Sequence, residues 1–501
     1  MSRINIYEQD LTTDVVIPES TDVVLVPGFS LMQTSEKAIH GDTSEGGVPM
    51  GYPTVCHNLY EFYQCFGKDV PYFTSNQLYP VQGEHTVGFN AVAIPGYNET
   101  TPEVIPVMYY ANTPDPGYMY AKELLSAGLT VMYVRLNEWN SAAEVTAYNE
   151  EHAAEITAGT LAAAVFDITV DNFYTKLSTT IYATGTDITD RNEYQFKYVT
   201  AGGYPVFEYN NNTLMKAMMA VCSSRGDAFA LIDHTNNPYR TLVATDNRSV
   251  YKILQGAGLT KNAISSYGTM FTPWMNVSVS GDYSIPGPEN TVIAGAASYD
   301  MAPSFSYLLS LAASIKTYPS WLAIAGVTRG LIPRSPVPAI SSILTNSIAE
   351  SYQPEGATGV AINPITKINP YGQTIWGNRT LKDNADDGSM TAISHLNIRN
   401  MLCDIKKVAY VAANELMFEQ NTNSTWISFC GEITPTLDKM QQGGGIADYL
   451  MIRNTKFDNQ GNPLRKSTIS CKIRIWPTYA IDKFDIAIEL SDGNASVEIS
   501  E

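Results

Sequence analysis

Histidine is scarce in this chain, with six in 501 residues, and charged residues of all kinds make up only 16%. Few histidines leave few candidates for acid–base work near neutral pH. Basic residues are outnumbered, 31 Lys and Arg against 50 Asp and Glu, for a net charge of −19. Neutralising phosphates needs a basic surplus on one face, so the balance argues against nucleic acid as a partner. The six cysteines, Cys56, Cys65, Cys222, Cys403, Cys430 and Cys471, form no C-x-x-C pair and stand at no zinc-ligand spacing with histidine. Buried thiols are their ordinary reading, and no metal or cofactor is expected. No apolar run approaches the about 18 residues of a membrane helix, and MSRINIYEQDLTTD has no apolar signal-peptide core. The expectation is a protein of the reducing cytoplasm without membrane insertion.

Three near-motifs fail on chemistry. Gly372 and Gly377 have the glycine spacing of a P-loop, but Asn378-Arg379-Thr380 stands where Lys-Ser/Thr is required. Asp383, Asp387 and Gly388 fit positions of a calcium loop, yet Ala385 and Ser394 occupy the third and twelfth ligand positions. Asp233-His234 ends a strand, where α/β active sites often lie, with Ser223-Ser224 nearby in sequence. No G-x-S-x-G elbow accompanies them, so His234 reads as a core or turn-capping residue. No catalytic residue is assigned.

What is present is apolar and tyrosine-rich: 44% hydrophobic residues and 31 tyrosines. That excludes a disordered chain and is enough for about three domains of roughly 150 residues each. Residues 1–20 read as an extended arm and 21–104 as a β-rich segment containing the buried strand VVLVPG. In 105–137, DPGYMYAKELLSAGLTVMYVRL gives a turn, a helix, a glycine stop and a strand buried on both faces. That α/β pattern resumes over 211–360, and the stretch between, 138–210, reads as a β-rich insertion. Strands alternating with helices predict a largely parallel central sheet.

The last third is patterned most clearly. In 361–483, Gly372, Trp376 and Gly377 predict a tight, aromatic-pinned turn. Ile398, Leu402, Ile405, Ala409, Ala412 and Leu416 form one helical stripe over Leu396 to Phe418, closing on Asn421 and Asn423. A second helix over Trp426 to Met440 stops at Gly443-Gly444-Gly445. Strands follow over Tyr449 to Asn454 and Ser467 to Ile475, the second alternating Ile469, Cys471 and Ile473 with Ser470, Lys472 and Arg474. Residues 484–501 form a second arm, FDIAIEL, alternating again. Charge is uneven: residues 1–374 carry net −16 and residues 375–501 only −3.

The run INPITKINPYGQTIWGNRTL followed by LNIRNMLCDIKKVAYVAANELMFEQNTNSTW resembles the contractile tail sheath family, as do the helix–glycine–strand of 114–136, the strand AFALIDH and Pro273-Trp274. The resemblance implies an α/β and α+β multidomain fold with a central subtilisin-like α/β domain, a C-terminal α+β domain and extended arms. It also implies a structural subunit that stacks in hexameric rings around a tail tube and contracts to drive it through a cell envelope. Its implied partners are itself, the tube protein, and baseplate and terminator proteins. Its implied place is the virion tail, or a pyocin-like or injection-system particle, after assembly in the host cytoplasm.

Two interfaces follow as expectations. Ile4 and Ile6, alternating with Asn5 and Tyr7 in one arm, and Phe484, Ile486, Ile488 and Leu490, alternating with polar residues in the other, lie outside any local core. They are expected to add strands to a neighbour's hairpin at Tyr449, Met451, Ile469, Cys471 and Ile473, by β-augmentation. Thr434, Asp438, Lys439, Gln441 and Gln442, at the polar end of the second helix, are expected to face the tube.

Overall fold

The computed structural model describes residues 22–30, 48, 50–68, 70, 72–73, 91–93, 104–106, 113–136, 142–160, 163, 177, 182, 187–204, 206, 213–234, 250–259, 263–278, 284–286, 292–294, 298–334, 336–338, 344, 346–352, 359–382 and 390–481. Both arms, and with them Ile4, Ile6, Tyr7, Phe484, Ile486, Ile488 and Leu490, lie outside these residues, as do Asp383, Ala385, Asp387 and Gly388.

The body is organised by one eight-stranded sheet. Its strands are β1 (Val23–Gly28), β2 (Pro53–Cys56), β3 (Thr130–Arg135), β4 (Tyr198–Val199), β5 (Phe229–Ile232), β6 (Gly268–Thr272), β7 (Asn363–Ile368) and β8 (Gly372–Ile375). Their order is β8-β7-β6-β5-β4-β1-β3-β2. The six inner strands run parallel, and antiparallel β2 and β8 close the two edges. The sheet gathers segments from across the chain: β1 from 21–104, β4 from 138–210, and β7 and β8 from 361–483. Of 138–210, the described residues are mainly helical at the start (Ala142–Glu151, Ala153–Thr157), with β4 at the end.

Burial on both faces explains the continuous apolar strands. Val23 and Leu25 of β1 join Met132, Val134, Ala230 and Ile232 on one side. Val24 and Val26 join Val131, Tyr133, Phe229 and Leu231 on the other. Neighbouring side chains along a strand point to opposite faces, so each strand feeds two cores.

Helices α1 (Leu59–Phe66), α2 (Pro116–Ala127), α3 (Thr213–Arg225) and α4 (Pro303–Ser314) surround the body, with α5 (Leu396–Glu415) and α6 (Asn423–Gln442) following. Local chemistry sets their ends. Asn58 accepts from Glu61 N while Glu61 reaches back to His57 N, a reciprocal cap on α1. Asp115 caps α2 ahead of Pro116, and Gly128 ends it at φ 93, a left-handed turn that disfavours a side chain. Gly117 is required by proximity: a Cβ there would lie 2.7 Å from Gly28 Cα, because the helix start rests on the end of β1.

Around Gly372 the structure differs from the expected aromatic-pinned turn. Gly372, at φ 118, opens β8 after the β7–β8 turn, and Trp376 follows β8 with 43% of its surface exposed. The turn is closed by hairpin pairing of Ile368 with Gly372 and of Ile365 with Ile375, and no ring is needed to pin it.

Candidate assembly interface

The C-terminal unit is built by three elements packing on one small core. The α5 stripe supplies Ile398, Met401, Ile405 and Ala412, and α6 supplies Ile433, Leu437 and Met440. Against them lies a hairpin of β9 (Ile446–Asn454) and β10 (Ser470–Pro477), a sheet of two strands among the described residues. Tyr449 pairs with Ile475, Met451 with Ile473 and Arg453 with Cys471. The side chains of Tyr449, Met451, Ile473 and Ile475 face the helices but remain only partly buried. Ile469 precedes β10 by one residue and is half-buried.

Polar contacts fix this hairpin at both ends. Tyr449 Oη donates to Asp438 Oδ1 at 2.5 Å, and Gln441 Nε2 to the Ala447 carbonyl at 3.1 Å. At the far end Asn421 donates to the carbonyls of Lys466 and Thr468 and accepts from Arg453. Asn421 therefore holds the hairpin to the α5–α6 connection. Helix α5 ends at Glu415, and Thr422 caps α6 by accepting from Thr425 N at 3.3 Å.

Of the residues expected at the tube, Thr434 and Asp438 are half-buried, while Lys439, Gln441 and Gln442 are exposed at the end of α6. Asp438 and Gln441 are engaged with β9 and its approach, which leaves Lys439 and Gln442 as the outward pair. Gly445 joins the unit to the body: a Cβ there would stand 2.7 Å from Trp321 Cδ1.

The positions weighed for hydrolysis are occupied by packing. Asp233 is fully buried and accepts from Ser304 N at 3.0 Å and Ser304 Oγ at 2.6 Å, capping α4 from the end of β5. Burial pushes its carboxyl up to about 7, against the lowering effect of the Ser304 hydrogen bonds. Asp115, equally buried, accepts from Phe29 N, Tyr118 N and Tyr204 Oη, and burial pushes it up to about 6. His234 meets Thr272 Oγ1 through Nε2 at 3.1 Å, and its carbonyl accepts from Trp274 Nε1 at 2.8 Å. Ser223 and Ser224 sit on the partly buried to exposed side of α3.

A buried ionic junction had no sequence signal. Lys197 Nζ lies 3.1 Å from Asp22 Oδ1, 2.7 Å from Asp404 Oδ1 and 3.1 Å from Ser320 Oγ, with its side chain wholly buried. Burial alone would discharge Lys197, but Asp22 and Asp404 together hold its pKa above the usual lysine value. It ties the entry to β1, the approach to β4 and the helix α5, three segments far apart in sequence. Lys197 follows Phe196 in a run that reads as an ordinary strand, and the periodicity says nothing of which side-chain charges meet.

No protein-family model matches the chain. Over 163 residues it is 26% identical to the tail sheath protein of Vibrio phage KVP40, a stretch covering 32% of this chain and 22% of that protein. The chain thus matches under a quarter of the length of that relative. In structure it superposes on the sheath complex of an extracellular contractile injection system, PVC, in its contracted state, with a TM-score of 0.52 and 14% identity over 98% of both chains. A chain of the anti-feeding prophage baseplate in its contracted state gives 0.52 and 15% over 97% of both. The fold is a contractile-sheath fold. In this sheath fold the resembling segments all do structural work. Trp274 ties β6 to the end of β5, the 116–135 unit lines both cores, and the run from Ile362 forms the β7–β8 edge and α5.

Proposed function

We propose that this chain is the structural subunit of a contractile sheath, of a phage tail or of a non-phage injection system, and that its role is mechanical. The observation that carries the reading is the two-stranded hairpin on α5 and α6. Both of its outer edges lack strand partners among the described residues, in a chain whose fold follows sheath subunits end to end. An edge of unpaired N–H and C=O groups invites another strand. The arms 1–20 and 484–501 of neighbouring copies supply such strands, with Tyr449, Met451, Cys471 and Ile473 completing their burial. The subtilisin-like body serves as scaffold, and copies stack as hexameric rings that rotate on a baseplate signal and drive a tail tube through the target envelope. A terminator protein caps the tail. Lys439 and Gln442, exposed at the end of α6, face the tube, and the hydrogen bonds of Asp438 and Gln441 hold that end rigid.

Negative-stain microscopy of the purified chain tests the reading directly. Striated cylinders are expected, and a protein that stays monomeric at high concentration would refute it. Deleting residues 1–12 should leave a folded monomer that does not polymerise. Normal cylinders from that deletion would remove the N-terminal arm from the mechanism.

A further inference from the structure

The hairpin differs in charge from the chain that carries it. Residues 446–477 hold six basic residues against two acidic ones, net +4, in a chain of net −19, whereas residues 482–501 hold six acidic residues against one basic, net −5. The basic residues have a direction. Pairing of Ile452 with Lys472 and of Leu450 with Arg474 puts both cations on the face turned away from the helices. Both are exposed, and neither makes an ion pair among the described residues. On the same face, the β9 edge carries Asp448 as its single charge, opposite Trp476.

An added strand must keep the sheet's alternation, because directly opposed residues share a face. If Phe484, Ile486, Ile488 and Leu490 join the helix-facing side, Asp485 and Glu489 fall on the outer side. Along β10 they would flank Lys472 and Arg474. Along β9 they would meet Asp448. The N-terminal arm is acidic over residues 1–20, one basic residue against four acidic, but its segment 3–7 carries Arg3 as its single charge, and with Ile4 and Ile6 turned inward that residue comes to the outer side. That residue suits the Asp448 edge and not the β10 edge.

After β10, Thr478 N donates to the Gly445 carbonyl at 3.1 Å, and the Tyr479 ring sits edge-on against His395, 5.1 Å away at the start of α5. The first contact carries the β9–β10 ladder one residue past Pro477, and the described chain, which ends at Ile481, makes no reversal along β10.

We propose that charge sorts the two arms between the two edges: the C-terminal segment 484–490 of a second copy pairs along β10, beside Lys472 and Arg474, and the N-terminal segment 3–7 of a neighbour pairs along β9, beside Asp448. The proposal rests on the strand-addition reading given above and adds the rule by which each edge selects its strand. Charge gives that selection because opposite charges across a strand pair attract and like charges repel, whereas backbone hydrogen bonds are blind to which arm supplies them.

The test uses the full chain in three forms: Lys472→Glu with Arg474→Glu, Asp485→Lys with Glu489→Lys, and all four changes together. Circular dichroism and gel filtration of the monomer check folding, and sedimentation reads the lowest concentration at which polymer forms. Each double reversal should raise that concentration about tenfold at low salt and only about twofold at high salt, where exposed charges are screened. The fourfold variant should return to within about twofold of the unmodified chain. Unchanged polymerisation by either double variant, or failure of the fourfold variant to recover, overturns the sorting. A chain lacking residues 482–501 separates the two levels of the argument. If it polymerises normally, strand addition by this arm is wrong and the sorting falls with it. If it cannot polymerise while the reversals are silent, only the sorting falls.

Discussion

The body and the C-terminal hairpin use the same elements to opposite ends. In the body every strand between β8 and β2 has neighbours on both sides, both faces are covered, and even the carboxylates of Asp115 and Asp233 are taken up capping helices α2 and α4. In the hairpin one face is half-covered, the other is exposed, and neither outer edge is paired among the described residues. A wide sheet with both faces covered and only its short outer strands β2 and β8 at the edges resists deformation and presents little to bind. One with open edges and half-buried apolar residues is stable enough to hold its shape while remaining receptive to another strand. The molecule separates rigidity from adhesion by placing them in different sheets.

The contrast can be broken hardest at the ionic junction that binds the body to α5. Replacing Lys197 with Ala leaves Asp22 and Asp404 buried without their cation and should cost about 3–5 kcal/mol, read as a lowered denaturation midpoint. Replacing all three with apolar residues of similar volume should recover most of that loss. A Lys197→Ala protein as stable as the parent would mean that the junction is open to water.

A smaller effect is expected where the two regions touch. Gly445→Ala forces a Cβ against the Trp321 ring and should cost about 1–3 kcal/mol, with a shift in tryptophan emission as the ring moves. Unchanged emission and stability would show that the contact gives way easily.

The smallest is a change of slope. The Asp233 carboxyl is held near 7, above its unfolded value of 3.8, so the folded state keeps a proton that the unfolded state gives up. Its contribution is therefore fully present below about pH 4 and is lost as pH rises through about 7. Asp115, near 6, acts in the same direction. Asp233→Asn should preserve the cap on α4 and flatten the fall in stability between about pH 4 and pH 7. An unaltered pH profile would place the titration elsewhere.

What was legible in the sequence follows the same division. Long periodic elements could be read within a few residues: the α5 stripe from Leu396, the helix with Leu124 and Leu125 and its Gly128 stop, although the expected turn at Pro116-Gly117 is the helix's own first turn, and the alternation of Cys471 and Ile473 with Lys472 and Arg474. The central sheet was legible as a type, because β1 and β3 are apolar without alternation. Its membership was harder. β4 belongs to a run that reads as a strand of the 138–210 insertion, yet it lies in the central sheet between β1 and β5, far from either in sequence, and its pattern gives no sign of that place. Asn421 and Asn423 read as the close of one helix, yet the Thr422 hydroxyl starts the next, and Asn421 acts on a hairpin more than thirty residues away. Lys197 carried no local sign of its two partners, because ion pairing between distant segments is fixed by topology. The expected interface residues divide likewise: Tyr449, Met451, Cys471 and Ile473 share the predicted face, whereas the hydrogen bonds of Asp438 and Gln441 to the hairpin were not foreseeable from spacing.

The half-covered inner face of the hairpin also bears on how heat stability depends on concentration. Tyr449, Met451, Ile473 and Ile475 retain apolar surface in the single subunit that a third strand would remove from water. Anything that binds the folded chain and not the unfolded one stabilises it by mass action. The least finished part of the subunit would then gain most from the company of its own copies, so that melting of this unit would track protein concentration while melting of the body would not.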